Sequence, residues 1–500
     1  MSLGTTAVVL GGSVAGLCAA GALAPYFDDV VVLERDELPA DAEHRRGVPQ
    51  SKHPHFLLNA GRRAINDLFP GFEDDLIAAG GLHIVASMDT AYLEGPGWTP
   101  RKQGALSMVY GSRILIERVL RDKVRLLSNV TVREGVSVSG IDTVGGGTPH
   151  GRVAGVHVSS SAAEDERIDA DLVVDAMGRG SSVSDWLVAA GWPETPVMTL
   201  DAKVTYVSRW YDLPSPEDRA ASWWWKHMVI MPTQEKGEHP DEHEFLVNFF
   251  PMEGNRSIAC MGSWGIDMPR TVDDFVASAE RLRTPKFAAA MAASEPTSEV
   301  HLTRATGNKW RRYDRLPSAP QGIVFIGDAA CAFNPFYGQG MSAAAGSALL
   351  LREELESMTS LDQPFFTRFL SAQRKALKVP WAMAMARDRG YECATGSETV
   401  PAWQRRILAS MTWPMFNVIT GAAREDAVID DHFARVFNMD ESIGAMMRNP
   451  RVLFGLLRFK VNSALGRLTL PFGFDAQQDP PSRDWTLGAS SPDAELEATR

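Results

Sequence analysis

Five hundred residues, 45% apolar and 22% charged, suffice for two or three globular domains with sizeable cores. Sixty-two acidic against 50 basic residues give a net charge of -12 with no basic block, which sets nucleic acid aside as a partner. No run of about 18 apolar residues and no export signal occur, and Cys18, Cys260, Cys331 and Cys393 lack metal-ligand spacing. A cytoplasmic protein with reduced thiols, no transmembrane segment and no bound metal is expected.

The chain opens on an apolar strand, Ala7 to Leu10, and a turn of small residues: Gly11, Gly12, Ser13, Val14, Ala15 and Gly16. A small-residue helix, Leu17 to Ala24, and a second strand, Val30 to Leu33, follow, and the strand ends in Glu34. This order suits a dinucleotide. Glycines admit the pyrophosphate, the helix N-terminus faces its charge, and the acid accepts from the adenosine ribose. Ser13 takes the middle glycine position of G-x-G-x-x-G but still offers its backbone N–H. Glu34 opposes a ribose 2′-phosphate, which disfavours NADP here. The competing reading is an α/β turn that binds nothing.

Arg35 to His55 reads as a polar loop carrying Arg45, Arg46, Lys52, His53 and His55. It either lends positive charge to a cofactor or is simply solvated, and no carboxylate or cysteine follows the histidines at ligand spacing. Phe56 to Phe69 has helical periodicity. Ser112 is placed to cap a helix that Arg113 begins, where the arginine reaches a phosphate or lies on the surface. A strand from Val130 to Arg133 precedes hairpin-like alternation at Val138–Ile141 and Val153–Val158, around a turn at Gly145–Gly147. Asp171 to Gly180, DLVVDAMGRG, is a second buried strand that delivers Asp175, Gly178, Arg179 and Gly180 at its end.

From 196 to 315 strand-like runs dominate: 198–211, 222–231, 245–252, 258–264 and 301–313, with a helical insert at 271–282. Within Trp223, Trp224 and Trp225, neighbours on a strand face opposite sides. Trp223 and Trp225, with Phe249, either line a large cavity or lie in covered core. At Gly322 the first pattern returns as GIVFIGDAACAFNPFYGQGMSAAAG. An apolar strand (Ile323 to Ile326) stops at Gly327 and Asp328, and a loop with Pro335, Phe336, Tyr337 and Gly338 leads to a small-residue helix beginning near Gly340 and Met341. Asp328 is placed to accept from ribose or ribityl hydroxyls, and the helix N-terminus to face a cofactor's carbonyls. Beyond 361 the pattern is helical (365–378, 402–411, 427–436), punctuated at Pro380, Pro401, Pro414 and Pro450. Arg451 to Leu465 is an apolar basic helix, expected to pack on the main body rather than on a membrane or an oily substrate. From Asp475 a frayed tail is expected.

GGSVAG with Glu34, DAMGRG, and GDAACAFNPFYGQGMS together resemble the glutathione-reductase-type FAD fold of the p-hydroxybenzoate-hydroxylase group, over about residues 5 to 350. RRGVPQSKHPHFLL at 45–58, DAMGRGS at 175–181 and NPFYGQGMS at 334–342, with the helical C-terminal part, are most similar to the squalene-epoxidase-like branch. That branch includes the polyether polyene epoxidases of actinobacterial polyketide pathways. The resemblance implies an α/β protein: a Rossmann-like FAD domain (1–195, returning at 316–360), a β-sheet substrate domain (196–315), a helical region (361–475) and a flexible tail (476–500). It implies cofactor contacts from Gly11, Gly12, Ser13, Ala15, Gly16, Glu34, Arg35, Arg113, Asp175, Gly327, Asp328, Pro335, Gly338, Gly340 and Met341. Trp223, Trp225, Phe249, Phe336 and Tyr337 are the substrate-cavity candidates.

The implied activity is an FAD-dependent monooxygenase reduced by NAD(P)H or a separate flavin reductase. It inserts one oxygen atom of O2, through a flavin C4a-hydroperoxide, into a large hydrophobic natural product, by alkene epoxidation or by hydroxylation. No catalytic side chain is assigned, since such an oxidant needs no protein nucleophile. An FAD-containing non-redox [4+2] cyclase and a prenyl-chain reductase are the alternatives. The flavin halogenase motif is absent.

Overall fold

The computed structural model describes residues 2–95, 97–104, 106–148, 150–160, 163–232, 245–304, 306–467 and 475–482. Its first layer is a parallel sheet in the order Ile323–Phe325, Leu172–Asp175, Gly4–Leu10, Phe27–Leu33, Val130–Arg133. The central strands are near-continuous apolar runs because both faces are covered. Helices Val14–Leu23, Arg113–Arg125 and Gly340–Glu356 pack on one side, and the antiparallel strands Val136–Val144, Arg152–Ser160 and Ala163–Asp169 on the other. Leu10 lies beside both Leu33 and Asp175, and Asp175 beside Phe325. The three sequence motifs therefore leave the sheet at one edge, the carboxyl edge where such sheets bind ligands. The expected α/β class, with a Rossmann-like sheet and a helical C-terminal segment, is what the chain adopts.

The second layer is a mixed sheet running 295–296, 204–212, 256–264, 246–252, 227–230, 90–94, 97–98. Thr90–Glu94, from within the first 195 residues, joins it parallel to His227–Ile230. One face packs on helices Val272–Glu280 and Lys286–Ala292, with Phe275 and Phe287 fully buried between them. The opposite face looks toward the carboxyl edge of the parallel sheet.

Several expected elements differ. The run 198–211 is two strands in two sheets, Val197–Leu200 and Val204–Asp212, broken where Lys203 takes φ 55°. Of 222–231 only His227–Ile230 is strand, and the tryptophans lie in the turn before it. The helix expected from Phe56 begins at Asn59. Helices Gln363–Asp388 and Ala402–Glu425 run through Pro380 and Pro414, where breaks were expected. At Pro380 the apolar face continues through buried Trp381 and Ala384, and that packing offsets the one lost backbone bond. Residues 475–482, expected to fray, are tied down: Trp98 Nε1 donates to Gln478 O at 3.2 Å and Trp224 Nε1 to Pro480 O at 3.1 Å. The rest of the expected tail, 483–500, lies outside the described residues.

Candidate functional site

The first turn is built by close packing. Gly11 sits at φ 102°, and a Cβ on Gly16 would stand 1.7 Å from Gly11 O, so neither position admits a side chain. Gly11, Ser13 and Ala15 stay partly exposed while Gly12, Val14 and Gly16 are buried, which opens alternate residues to the cleft. The helix Val14–Leu23 has no acidic residue in its first turn to neutralise its N–H groups. Glu34 is 5% exposed and accepts from Gly12 N at 2.8 Å and Asp36 N at 3.0 Å.

Ser13 has a role no glycine could fill. Its hydroxyl donates to Glu117 Oε2 at 2.8 Å and accepts from Arg113 Nη2 at 2.9 Å. Arg113 starts a helix capped by Ser112, whose Oγ accepts from Leu115 N at 3.0 Å. Arg45 closes the ring, pairing with Glu117 at 2.8 Å, Asp36 at 2.9 Å and Glu34 at 3.1 Å. It comes from the polar loop, and it holds the place expected of Arg35, whose side chain is exposed.

The third motif meets the first directly. Gly327, at φ 65°, brings its backbone so close that a Cβ would lie 2.9 Å from Ala15 Cβ. Asp328 follows, its Oδ2 4.0 Å from Arg179 Nε. Burial pushes its carboxyl above the usual carboxylate range against the pull of Arg179, Arg113 and Arg311. Yet 31% of its side-chain surface is accessible, so it faces an interior cleft rather than bulk solvent. Arg311 clamps the second motif to the third through the carbonyls of Arg179 (3.0 Å), Ser181 (3.3 Å), Asp328 (3.2 Å) and Ala329 (3.1 Å). The helix Gly340–Glu356 points its unneutralised N-terminus at the same cleft, and the space where a Gly340 Cβ would lie is open apart from Asp328 Oδ1 at 3.9 Å.

This cleft fits a flavin dinucleotide. Three guanidinium nitrogens of residues beside it, Arg45 Nη2, Arg113 Nε and Arg179 Nε, are buried without a hydrogen-bond partner among the described residues. Two helix N-termini converge on it, and the acids Glu34 and Asp328 stand at its two ends.

Over the cleft stands the second sheet. Strand alternation turns Tyr206, Ser208 and Trp210 toward the cofactor motifs, and Val207 and Tyr211 away from them. Phe336 lies against this face, with its ring 4.5 Å from Trp264 and an atom 3.3 Å from where a Gly262 Cβ would be. Phe56, Tyr110 and Phe250 continue it as a cluster of mutually packed rings. His53 contacts Tyr206 edge-on at 4.7 Å and shares a 2.9 Å hydrogen bond with Ser208 Oγ.

No family model matches the chain. Protein Rv3254 of Mycobacterium tuberculosis is 32% identical over 450 residues, covering 87% of this chain and 90% of that protein. The chain belongs to the Rv3254 family. Solved structures share its architecture at low identity. A flavin-dependent brominase has TM-score 0.61 and 12% identity over 92% of this chain and 100% of its own. p-Nitrophenol 4-monooxygenase from Pseudomonas putida has 0.60 and 18% over 88% and 99%. The Diels-Alderase of the pyrroindomycin pathway has 0.53 and 17% over 87% and 80%. The shared fold is the p-hydroxybenzoate-hydroxylase type.

In this Rv3254-family chain the expected site residues divide. Gly11, Ser13, Ala15, Arg113, Asp328, Pro335, Phe336, Gly338 and Gly340 are brought to one cleft and Gly12, Gly16 and Gly327 shape it through their backbones, whereas Tyr337 turns its ring to the Trp310 and Trp381 cluster and its hydroxyl to Asp388. Asp175 is turned inward at 0% exposure, accepting from Ser181 Oγ at 2.6 Å and Met177 N at 3.1 Å, with burial pushing it up to about 6. It orders the DAMGRGS loop instead of meeting a ligand. The side chain of Met341 is in the core, leaving only its backbone for the cleft.

Trp223, Trp225 and Phe249 are corrected more strongly. Trp223 and Trp225 stack at 5.1 Å and pack with Phe249 into the cluster on the helix-covered face, away from the cleft. Trp224 packs against the same cluster and lies under Arg101 at 4.4 Å. The tryptophans precede the strand His227–Ile230, so strand alternation does not apply to them, and all three meet the helix-covered face.

Sequence reading missed Glu117, Arg311 and Asp388. Asp388, fully buried at the end of helix Gln363–Asp388, accepts from Tyr337 Oη at 2.6 Å, Asn308 Nδ2 at 2.8 Å, Trp264 Nε1 at 3.1 Å and Asn334 Nδ2 at 3.2 Å. The C-terminal helices thereby hold the Asn334–Gly338 loop.

His53 carries a pH prediction. Burial, then His301 and Lys52, push it down to about 3. Because its folded pKa lies below the unfolded 6.5, its contribution is complete above pH 6.5 and lost as pH falls toward 3. At pH 5 the loss is about 2 kcal/mol. The fall in unfolding free energy between pH 7.5 and 5, followed by urea unfolding, is expected to be smaller by that amount in His53→Gln. An equal fall in both proteins would show that His53 titrates normally.

Proposed function

We propose that this protein is an FAD-dependent monooxygenase that transfers one oxygen atom of O2 to a large apolar natural product, by alkene epoxidation or hydroxylation. The observation that carries this reading is the pairing of a charged two-ended cleft with an aromatic face directly over Pro335–Gly338. Glu34 would hold the adenosine ribose and the Gly11–Gly16 turn the pyrophosphate. Arg113, Arg179 and Asp328 would hold the ribityl region, and the Gly340 helix N-terminus would face the ring carbonyls. Bound FAD supplies the oxygen-transfer chemistry; the chain orients the substrate and excludes water.

Burial pushes His53 and His55 down to about 3 and His227 to about 4, so all three stay neutral at physiological pH. The aromatic wall therefore adds no histidine charge against an apolar substrate. A polyene-epoxidase-like substrate suits this wall and the motif likeness. Electrons come from NAD(P)H docking transiently or from a separate flavin reductase.

A second reading, a non-redox cyclase, is favoured by one observation, the architecture shared with the Diels-Alderase. Orientation in an apolar cavity would be enough for that reaction. Anaerobic reduction of the flavin-loaded protein followed by O2 and candidate polyenes separates the two. Oxygenated product formed only after reduction supports the monooxygenase. Conversion of a linear polyene with oxidised FAD and no oxygen would sink it in favour of the cyclase.

A further inference from the structure

The helix Pro450–Ala464 is apolar on two faces. Val452, Gly455 and Leu456 are buried against the neighbouring helices, where a Cβ on Gly455 would meet Ile429 at 2.8 Å. The opposite face carries Leu453, Phe454, Leu457, Val461 and the adjoining Leu465, exposed by 45 to 67%. At 100° per residue these five fall within one sector of about 120°. Arg451 and Arg458 border that sector on one side and Lys460 on the other, all exposed, with Arg458 paired to Asp426 at 2.7 Å. Residues 443–474 hold five basic side chains and no acidic one, in a chain whose net charge is -12. Along the helix Ala402–Glu425, Trp403, Ile407, Met411 and Met415 form a second exposed stripe, 45 to 66% accessible at four-residue spacing.

We propose that the outward face of Pro450–Ala464 docks on an anionic lipid surface. An apolar stripe between cations lets Phe454 and Leu457 enter the acyl boundary while Arg451 and Lys460 reach lipid phosphates. Charge decides between this occupant and a second copy of the chain. A two-fold contact through the stripe would bring the same cations together, whereas an anionic surface neutralises them. Among the described residues no helix is long and apolar enough to cross a membrane, which leaves the surface as the mode of contact.

The test is flotation of the full-length, FAD-loaded protein with vesicles of equal phosphatidylglycerol and phosphatidylcholine, and with phosphatidylcholine alone. Binding is expected to be at least tenfold tighter to the anionic vesicles and to fall in about 1 M salt, where screening shortens to about 3 Å. F454E/L457E, at solvent-exposed positions, is expected to abolish flotation with FAD content and melting temperature unchanged. R451E/K460E is expected to remove the preference for anionic vesicles. Absence of flotation on anionic vesicles at low salt, or flotation unchanged in F454E/L457E, overturns the proposal. So does a concentration-dependent dimer, seen by light scattering and lost in F454E/L457E, when no vesicles are bound.

Discussion

Asp388→Ala is expected to lower folding stability by about 3–5 kcal/mol, since four buried donors lose their acceptor at once and each orphaned donor costs about 1–3 kcal/mol before relaxation. The donors are Tyr337, Trp264, Asn308 and Asn334, contributed by the cofactor-facing loop and by strands of two sheets. Asp388→Asn keeps the shape and one acceptor and is expected to cost about half as much. Tyr337→Phe removes a single donor and leaves the other three bonds in place, at about 1 kcal/mol. Urea unfolding followed by tryptophan fluorescence measures the series. Equal stability of Asp388→Ala and wild type would show that the hub is replaced by water. The loop consequence is separate: if Asp388 positions Asn334–Gly338, the visible absorption of bound FAD shifts in Tyr337→Phe even though the fold is retained.

Asp328→Ala is expected to weaken FAD binding about 10- to 100-fold, the equivalent of one charge-assisted hydrogen bond of about 1.5–3 kcal/mol. The carboxyl stands at the cleft with Arg179 and Arg113 beside it and open space toward Gly340. Its removal also leaves those guanidiniums without a counter-charge, which raises the local positive potential near the pyrophosphate. Net loss is expected because the hydroxyl contacts are short-range and the potential is screened. Titration of apoprotein with FAD by flavin fluorescence quenching measures it. Full flavin occupancy in the variant would show that Asp328 does not contact the cofactor.

Much of the cofactor frame was legible because it is local. The Gly11–Gly16 turn, the Ser112 cap before Arg113 and the Gly340 helix are decided by backbone needs within a few residues: a positive φ, a Cβ that has no room, an N–H in search of an acceptor. Three such motifs in one chain, each closing an apolar strand, imply one sheet edge, and the register of Leu10, Asp175 and Phe325 supplies it. Arg45 was visible only as one charge among several in a polar loop. Its pairing with Glu34, Asp36 and Glu117 spans up to 72 residues and leaves no spacing to read. Asp388 left still less, because a single aspartate at the end of a long helix is ordinary until three separate segments converge on it.

The tryptophan run shows the boundary most plainly. By itself the sequence determined the parallel sheet and the small-residue turns, whereas the alternation expected of Trp223–Trp225 fails because these residues precede the strand His227–Ile230. Only the tertiary structure decided which side of the second sheet faces the cleft, by laying helices Val272–Glu280 and Lys286–Ala292 over Trp223, Trp225 and Phe249 and leaving Tyr206, Phe250 and Phe336 toward the cofactor motifs. The physical reason is that period-two alternation separates two faces without labelling either. An apolar side chain gains about the same free energy from burial under a helix as from burial in a cavity.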